Sequence, residues 1–453
     1  MKYIVKQYEY DVIVCGGGTA GIIAAIASSR MGVRTLMIEK NGFLGGTAVM
    51  GVPIMSFLGP NGNPMVGGIP EEIIQILKKK GSSPGHIPFP RWNSFTPFNP
   101  EEFKNTVALV YKKSGGNLLL HSFITDVKSK GDKLISVLVQ NGFESMEIKG
   151  KIFIDATGDG IIINKSPAEI RKEKTLQSAS YVFRLGDFNK KKFIEFLKEH
   201  SDEIRGKDEG WVISLFESQP YFAFCGLFNF MKLANEKHNL KMPRQFICFN
   251  TSWREDQIVM VASRVNNVDP TDMTSITFAE MDARLQDARL IPLLKKYIPG
   301  FENVYLLATG HQIGIRENIH IQGLYTLTKE DVMSSVDFSD SIALGGYPID
   351  IHGTNGSGNY FILLKKTYEI PYRSIISEKC SNLIVAGRLI SVDPTAYGST
   401  RIQSTCMAIG QSAGTAAALA AKETIPVNQI SVEILQNYLK KNGLIFKKTK
   451  TYL

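Results

Sequence analysis

Between Cys15 and Ile22 the chain reads Gly16-Gly17-Gly18-Thr19-Ala20-Gly21, and the residues flanking this turn constrain the N-terminal region to one topology. Before it, Tyr10 to Cys15 (YDVIVC) is a short apolar, β-branched run, the pattern of a buried strand. After it, Ile22 to Met31 is rich in Ala and Ile, as expected of a helix packed on a sheet. Arg34 to Glu39 (RTLMIE) is a second buried strand. Strand, turn, helix and strand within about 30 residues form the opening unit of a doubly wound parallel sheet.

The turn fits the spacing GxGxxG, and each glycine has a physical reason. Gly16 permits the tight turn, Gly18 lets the backbone approach a pyrophosphate, and Gly21 allows close packing of helix on strand. Thr19 and Ala20 begin the helix, so phosphates meet its N–H groups and the positive end of its dipole. Glu39 closes the next strand, where a carboxylate can accept hydrogen bonds from adenosine ribose hydroxyls and disfavours a 2′-phosphate. Alone the spacing is weak, because glycine-rich turns occur in many loops. Its place between strand and helix makes it specific.

Further along, Asn99-Pro100-Glu101-Glu102 opens a helix to about Lys113, with Asn99 as cap and both carboxylates at its positive end. Asn117 to His121 reads as a third strand. Ser122 to Lys149 alternates strand-like segments with turns at Gly131-Asp132 and Asn141-Gly142, an antiparallel β-meander. Lys151 to Asp155 (KIFID) is a buried strand running into Ala156-Thr157-Gly158-Asp159-Gly160. From about Lys165 to Ile370 mixed strands and helices replace this pattern. Asn382 to Ala386 restores a parallel-type strand, and Gln403 to Lys422 forms a long final core helix. The expected organisation is a discontinuous nucleotide-binding domain, 1–164 and 371–453, with an inserted mixed α+β substrate domain, 165–370.

With 453 residues the chain can bury a large core. Its five cysteines show no CxxC pair and no metal-ligand spacing, which argues against a metal site or a disulfide framework. Met1 to Tyr10 has no apolar signal-like core, and Ile402 to Ala421, though uncharged, carries Gln, Ser, Ala and Gly. That composition suits a helix buried in protein better than one in lipid. A soluble, cytoplasmic protein is expected.

Six segments carry a family resemblance: Ile38–Gly51, Phe153–Gly160, Tyr297–Glu317, Gly345–His352, Ile370–Ser377 and Asn382–Ala420. In sequence and order they resemble the FAD-dependent oxidoreductases related to the fumarate reductase and thiazole-synthase flavoproteins. The resemblance implies a glutathione-reductase-like FAD-binding fold, a doubly wound parallel sheet plus antiparallel meander. It implies FAD as cofactor, gripped by Gly16, Gly18, Thr19, Ala20, Gly21, Glu39 and Lys40 at the AMP half. It places Val127, Ala156, Thr157 and Gly158 near the adenosine, and Gly45, Gly46 and Thr47 along the pyrophosphate, ribityl and flavin. Gly387, Arg388, Arg401, Ile402 and Gln403 bracket the other side of the flavin, where the final helix can aim its N-terminal dipole at the pyrimidine end. Gly410 and Gly414 in that helix suit close packing.

Hydride transfer also needs a substrate clamp and a proton-handling group. Arg316, His352 and His311 are the candidates put first, with Glu317, His320 and Tyr360 behind them. Arg316 can grip a carboxylate bidentately or serve a structural ion pair. His352 precedes a glycine-rich stretch in a lid-like position, and a lone His is more often structural than catalytic. Where family members carry extra basic residues after the Arg-Glu pair, this chain has Asn318-Ile319-His320. The expected reaction is hydride exchange between flavin N5 and a small polar or anionic substrate, with an unidentified electron acceptor and a possible homo-oligomer. A net charge of +9 keeps open an RNA-modifying flavoprotein, although the lysine clusters are short and scattered. A flavin-binding protein without turnover is the third reading.

Overall fold

A computed structural model describes residues 8–205, 212–353 and 359–448. Most of the glycine-rich stretch expected as a lid after His352 falls outside the described residues. Strand Glu9–Cys15 lies between Thr35–Ile38 and Ser145–Asp155, parallel to both, and Asn117–Leu119 adds to the far side of Thr35–Ile38. Registers Cys15↔Ile38, Cys15↔Asp155 and Val385↔Asp155 bring four strand ends to one level. The turns that follow those ends, at Gly16, Glu39, Ala156 and Gly387, therefore share one edge of the sheet. Ligands of open α/β sheets bind at such an edge.

Strand Ser145–Asp155 has two jobs. Its first half pairs antiparallel with Lys133–Gln140, which pairs in turn with Phe123–Lys130, so the expected meander is present. Its second half carries Leu383–Val385 in parallel. The chain that left the sheet after Asp155 thus returns to it beside the same strand.

Two helices seal this sheet. In Thr19–Arg30, Ala20 through Ser29 are all buried. In Gln403–Glu423, Ser404 through Ala421 are all buried, which explains a long uncharged segment without recourse to lipid. Among the described residues no helix is long and apolar enough to cross a membrane. The two helices touch backbone to backbone: a Cβ on Gly410 would run into the carbonyl of Ala20, and one on Gly414 into that of Ala24. The helix at Asn99 forms as expected over Pro100–Ser114, with the Asn99 side chain accepting from the amides of Glu101 and Glu102.

A second, antiparallel sheet has the order Ala223–Gly226, Ile247–Thr251, Ile258–Met260, Phe183–Gly186, Tyr305–Thr309. Its core is aromatic, with Phe193, Phe222, Phe224, Phe249 and Phe301 in mutual contact. Phe89, Trp92 and Phe95, from the segment before the inserted region, join that core. Ile319, Ile342, Ile349, Tyr368 and Ile370 pack instead into the core around the first sheet. The cysteine pattern gave no sign of a disulfide, yet one is present: strand register sets Cys225 opposite Cys248, and they are bonded. The pairing comes from the sheet, not from sequence spacing.

Because Gly414 meets main chain rather than a flexible side chain, Gly414→Val should cost about 3 kcal/mol, the upper range for overpacking. Denaturant unfolding checks this; an unchanged midpoint would mean that the helices are not in backbone contact.

Candidate functional site

At the shared edge the glycines behave as their spacing implies. Gly16 has φ +101°, and a Cβ there would sit 2.6 Å from the carbonyl oxygen of Ala156. A Cβ on Gly21 would overlap the carbonyl of Gly16, so helix and strand meet only without a side chain. Gly18 is different. A Cβ there meets nothing within 4 Å, the backbone is ordinary at φ −73°, and neither a side-chain cap nor an acid neutralises the first helical turn. A helix N-terminus thus opens onto free space, which suits a diphosphate.

Glu39 is buried and faces this turn: Oε2 accepts from the Gly17 amide at 2.6 Å, and Oε1 from the Asn41 amide at 2.8 Å. A crevice beside it has Gly16, Glu39, Lys40, Thr157 and Asp159 in its wall, together with Ser122, Phe123 and Ile124. Val127 is not on that wall. It pairs with Val137 farther along the strand, about 10 Å beyond Ile124 at the usual rise per residue. The segment that meets the crevice is the start of the strand, Ser122 to Ile124.

The Asp155-Ala156-Thr157-Gly158 turn is held from within. Buried Asp155 accepts from the amides of Thr157, Ile162 and Ile163, and burial pushes its carboxyl up from the usual range. Lys40 pairs with Asp159 across the crevice at 3.3 Å. Gly45 donates its amide to the carbonyl of Gly17, and Gly46 lies so close to Gly18 that a Cβ would stand 2.8 Å from its Cα. Thr47 and Gln403 approach to 3.4 Å, linking this loop to the start of the final helix. That helix has Ile402 as N-cap, no side-chain cap and no acid in its first turn. The edge therefore offers two uncapped helix ends, one at each end of a path from Glu39 to Gln403.

Past Thr47 and Gln403 the path opens into a cavity of about 260 Å³. Six arginines line it (Arg91, Arg205, Arg244, Arg316, Arg388 and Arg401), and among the described lining residues Asp350 is the one carboxylate. Much of the remaining wall is apolar, including Met50, Val182, Val261 and Phe361. Arg316 donates to the carbonyl of Ser178 and, at 3.0 Å, to Ser180 Oγ, both neutral. Burial, with Arg401 and Arg244 nearby, pulls its guanidinium well below the ordinary value. Arg244 is buried, donates to the carbonyls of Val261 and Ala262, and is lowered to about 9 by burial and then by Arg264. Its Nε and the Oδ1 of buried Asn250, also on the wall, have no hydrogen-bond partner.

His352 and Asp350 share a strand, Ile349–His352, and project two residues apart to the same side. His352 Nε2 lies 3.1 Å from Asp350 Oδ2, and Arg264 Nη2 lies 3.5 Å from Nδ1. Arg401 donates to the Asp350 carbonyl at 2.8 Å and holds its carboxylate at 3.6 Å. Burial alone would raise the Asp350 carboxyl, but His352, Arg401 and Arg316 outweigh it and hold the group well below the usual range. Burial, followed by Arg316, pulls the His352 imidazole down to about 3.

The other candidates lie elsewhere. His311 is exposed, edge-on to Phe43 at 4.9 Å, and is absent from the cavity wall. His320 is buried with Nδ1 at the carbonyl of Ile390, and Glu317 accepts from the Gln177 amide. Tyr360 faces solvent, because strand alternation turns Phe361 inward instead. Gly387, at φ +76°, positions Arg388, which donates to the carbonyls of Ile315 and Gly158. Arg244, Asn250 and Asp350 were not among the expected residues. Only Asp350 had a readable signal, its place two residues before His352 on a strand.

The two uncapped helix ends and the buried acid mark a dinucleotide-binding α/β protein, with an arginine-lined cavity at the end of the crevice. The model of the family "FAD dependent oxidoreductase" matches residues 11–439, and the chain belongs to that family. It is an enzyme, and its cofactor is FAD. The mitochondrial dihydrolipoyl dehydrogenase of Schizosaccharomyces pombe is 29% identical over 199 residues, 40% of this chain and 34% of that enzyme. The tRNA uridine 5-carboxymethylaminomethyl modification enzyme MnmG of Protochlamydia amoebophila is 42% identical over 80 residues, 17% of this chain and 11% of that one. The chain thus matches about a third of the first relative's length and far less of the second. Among solved structures, p-nitrophenol 4-monooxygenase from Pseudomonas putida is 10% identical with a TM-score of 0.48, covering 95% of this chain and 84% of that one. A geranylgeranyl bacteriochlorophyll reductase-like protein from Thermoplasma acidophilum is 14% identical with a TM-score of 0.45, covering 96% and 83%.

With free space around Gly18 and a diphosphate expected to fill it, Gly18→Val should fold normally yet be purified without FAD. Absorbance and thermal unfolding test both halves; a yellow variant would contradict the placement. For His352, the fold favours the neutral ring, so between its ordinary value of 6.5 and about 3 the unfolded chain holds a proton that the folded chain does not. Its contribution to stability therefore declines as pH falls through that window. In NMR of the cofactor-free protein the ring should remain neutral at about pH 5, where an ordinary histidine is charged; a midpoint near 6.5 would contradict it.

Proposed function

We propose that this enzyme exchanges a hydride between flavin N5 and a small anionic organic substrate seated in the arginine-lined cavity. Bound FAD supplies the two-electron acceptor or donor. Gly16, Gly18, Thr19, Ala20 and Gly21 would take its diphosphate, with Glu39 and Lys40 beside the adenosine ribose. Gly45, Gly46, Thr47, Gly387, Arg388, Ile402 and Gln403 would border the ribityl and flavin, and Ala156, Thr157 and Gly158 the turn between the halves. The residues from 165 to 370, centred on the second sheet, would supply most of the substrate walls. We place the enzyme in the cytoplasm.

The observation that supports an anionic substrate is the charge of the chamber: six arginines against one carboxylate in its described lining. Buried like charges repel one another and lose hydration, so an anion entering the chamber relieves both costs. Arg316, whose protein partners are neutral oxygens, is best placed to grip a carboxylate. Arg401 is anchored on Asp350 and serves to hold the His352–Asp350 pair in place. Once a substrate anion offsets the arginines and draws Arg264 from its long contact with Nδ1, His352 can hold a proton there while Asp350 steadies Nε2.

A panel of organic acids and their neutral amides, added anaerobically, tests this through flavin bleaching. Carboxylates should bleach the flavin and the amides should not; reduction by neutral metabolites alone would overturn the reading. Arg316→Lys should lower kcat/KM at least tenfold, about 1.4 kcal/mol, with FAD content unchanged. An unaltered rate would return Arg316 to a purely structural role.

A further inference from the structure

Cys225 and Cys248 form their disulfide on the wall of the same cavity that Thr47 and Gln403 border at the nucleotide end. We propose that this disulfide is redox-active and takes an electron pair from the reduced cofactor. The proposal rests on the reading that FAD ends at this cavity. In the step, two electrons and two protons from the reduced cofactor break the Cys225–Cys248 S–S bond and leave two thiols. The cofactor returns to its oxidised form.

Three features single out this pair. Both its cysteines line the chamber, Cys225 buried and Cys248 half-buried, whereas the free thiols Cys15, Cys380 and Cys406 are buried away from it. The strands it joins are already paired along Ala223↔Asn250, Phe224↔Phe249 and Gly226↔Ile247, so the bond is not what holds them together. Arg205 and Arg244 line the chamber with it, and positive neighbours favour the thiolate through which disulfides exchange. In the cytoplasm, where the proposed function places this enzyme, disulfides are usually transient and catalytic or redox-sensing.

Holoenzyme reduced anaerobically by light and EDTA, then acid-quenched, unfolded and alkylated with N-ethylmaleimide, gives the test by peptide mass spectrometry. Before illumination Cys15, Cys380 and Cys406 should be labelled, and after it Cys225 and Cys248 as well. A titration of the same holoenzyme with electrons should take up two pairs per chain, against one for Cys225→Ser/Cys248→Ser. The proposal is overturned if both residues stay unlabelled once the flavin is fully bleached. It is also overturned if they are labelled equally in FAD-free Gly18→Val, because reduction would then bypass the cofactor. Labelling needs no substrate, so failure of the organic-acid panel leaves this test intact, and the wild-type result stands if the double variant does not fold.

Discussion

The structure depends on a backbone contact that tolerates no side chain: the start of helix Thr19–Arg30 lying on the carbonyl of Gly16. That contact sets the helix N-terminus at the level where four parallel strand ends converge. Everything assigned to the nucleotide follows from it. Glu39 bonds the Gly17 amide, Gly46 rests on Gly18, and Gly410 and Gly414 bring the final helix against the same first helix. The two helix ends that face the crevice are therefore positioned by one set of small residues.

The chamber answers to a different constraint. Its arginines come from separate stretches of chain, Arg91 before the second sheet, Arg205 and Arg244 within it, Arg316 beyond it and Arg401 near the final helix. Burying this much like charge is costly unless something negative shares the space. Asp350 answers part of that cost and, by binding Arg401 and His352, becomes the hinge of the polar network. One side of the crevice is thus governed by close packing and the other by unbalanced charge, and the proposed function draws on both.

What could be read in advance was local. The glycine turn, Glu39, the cap at Asn99 and the meander all express themselves within a few residues, and each formed where expected. The chamber is non-local. Arg244 and Asn250 reach it only through the second sheet, and Cys225 meets Cys248 only through strand register. Histidine candidates separated for the same reason: His352 shares a strand face with an acid, while His311 stands exposed against Phe43. Val127 was placed by resemblance, and the crevice is met three residues earlier in the same strand.

The central claim is that the AMP half of the cofactor is gripped at Glu39 and the glycine turn. Calorimetric titration of the apoprotein with FAD and, separately, FMN tests this most directly. FAD should bind at least a hundredfold more tightly, a difference of about 2.7 kcal/mol. Equal affinities for the two would show that this crevice holds no adenosine, and the account would fail.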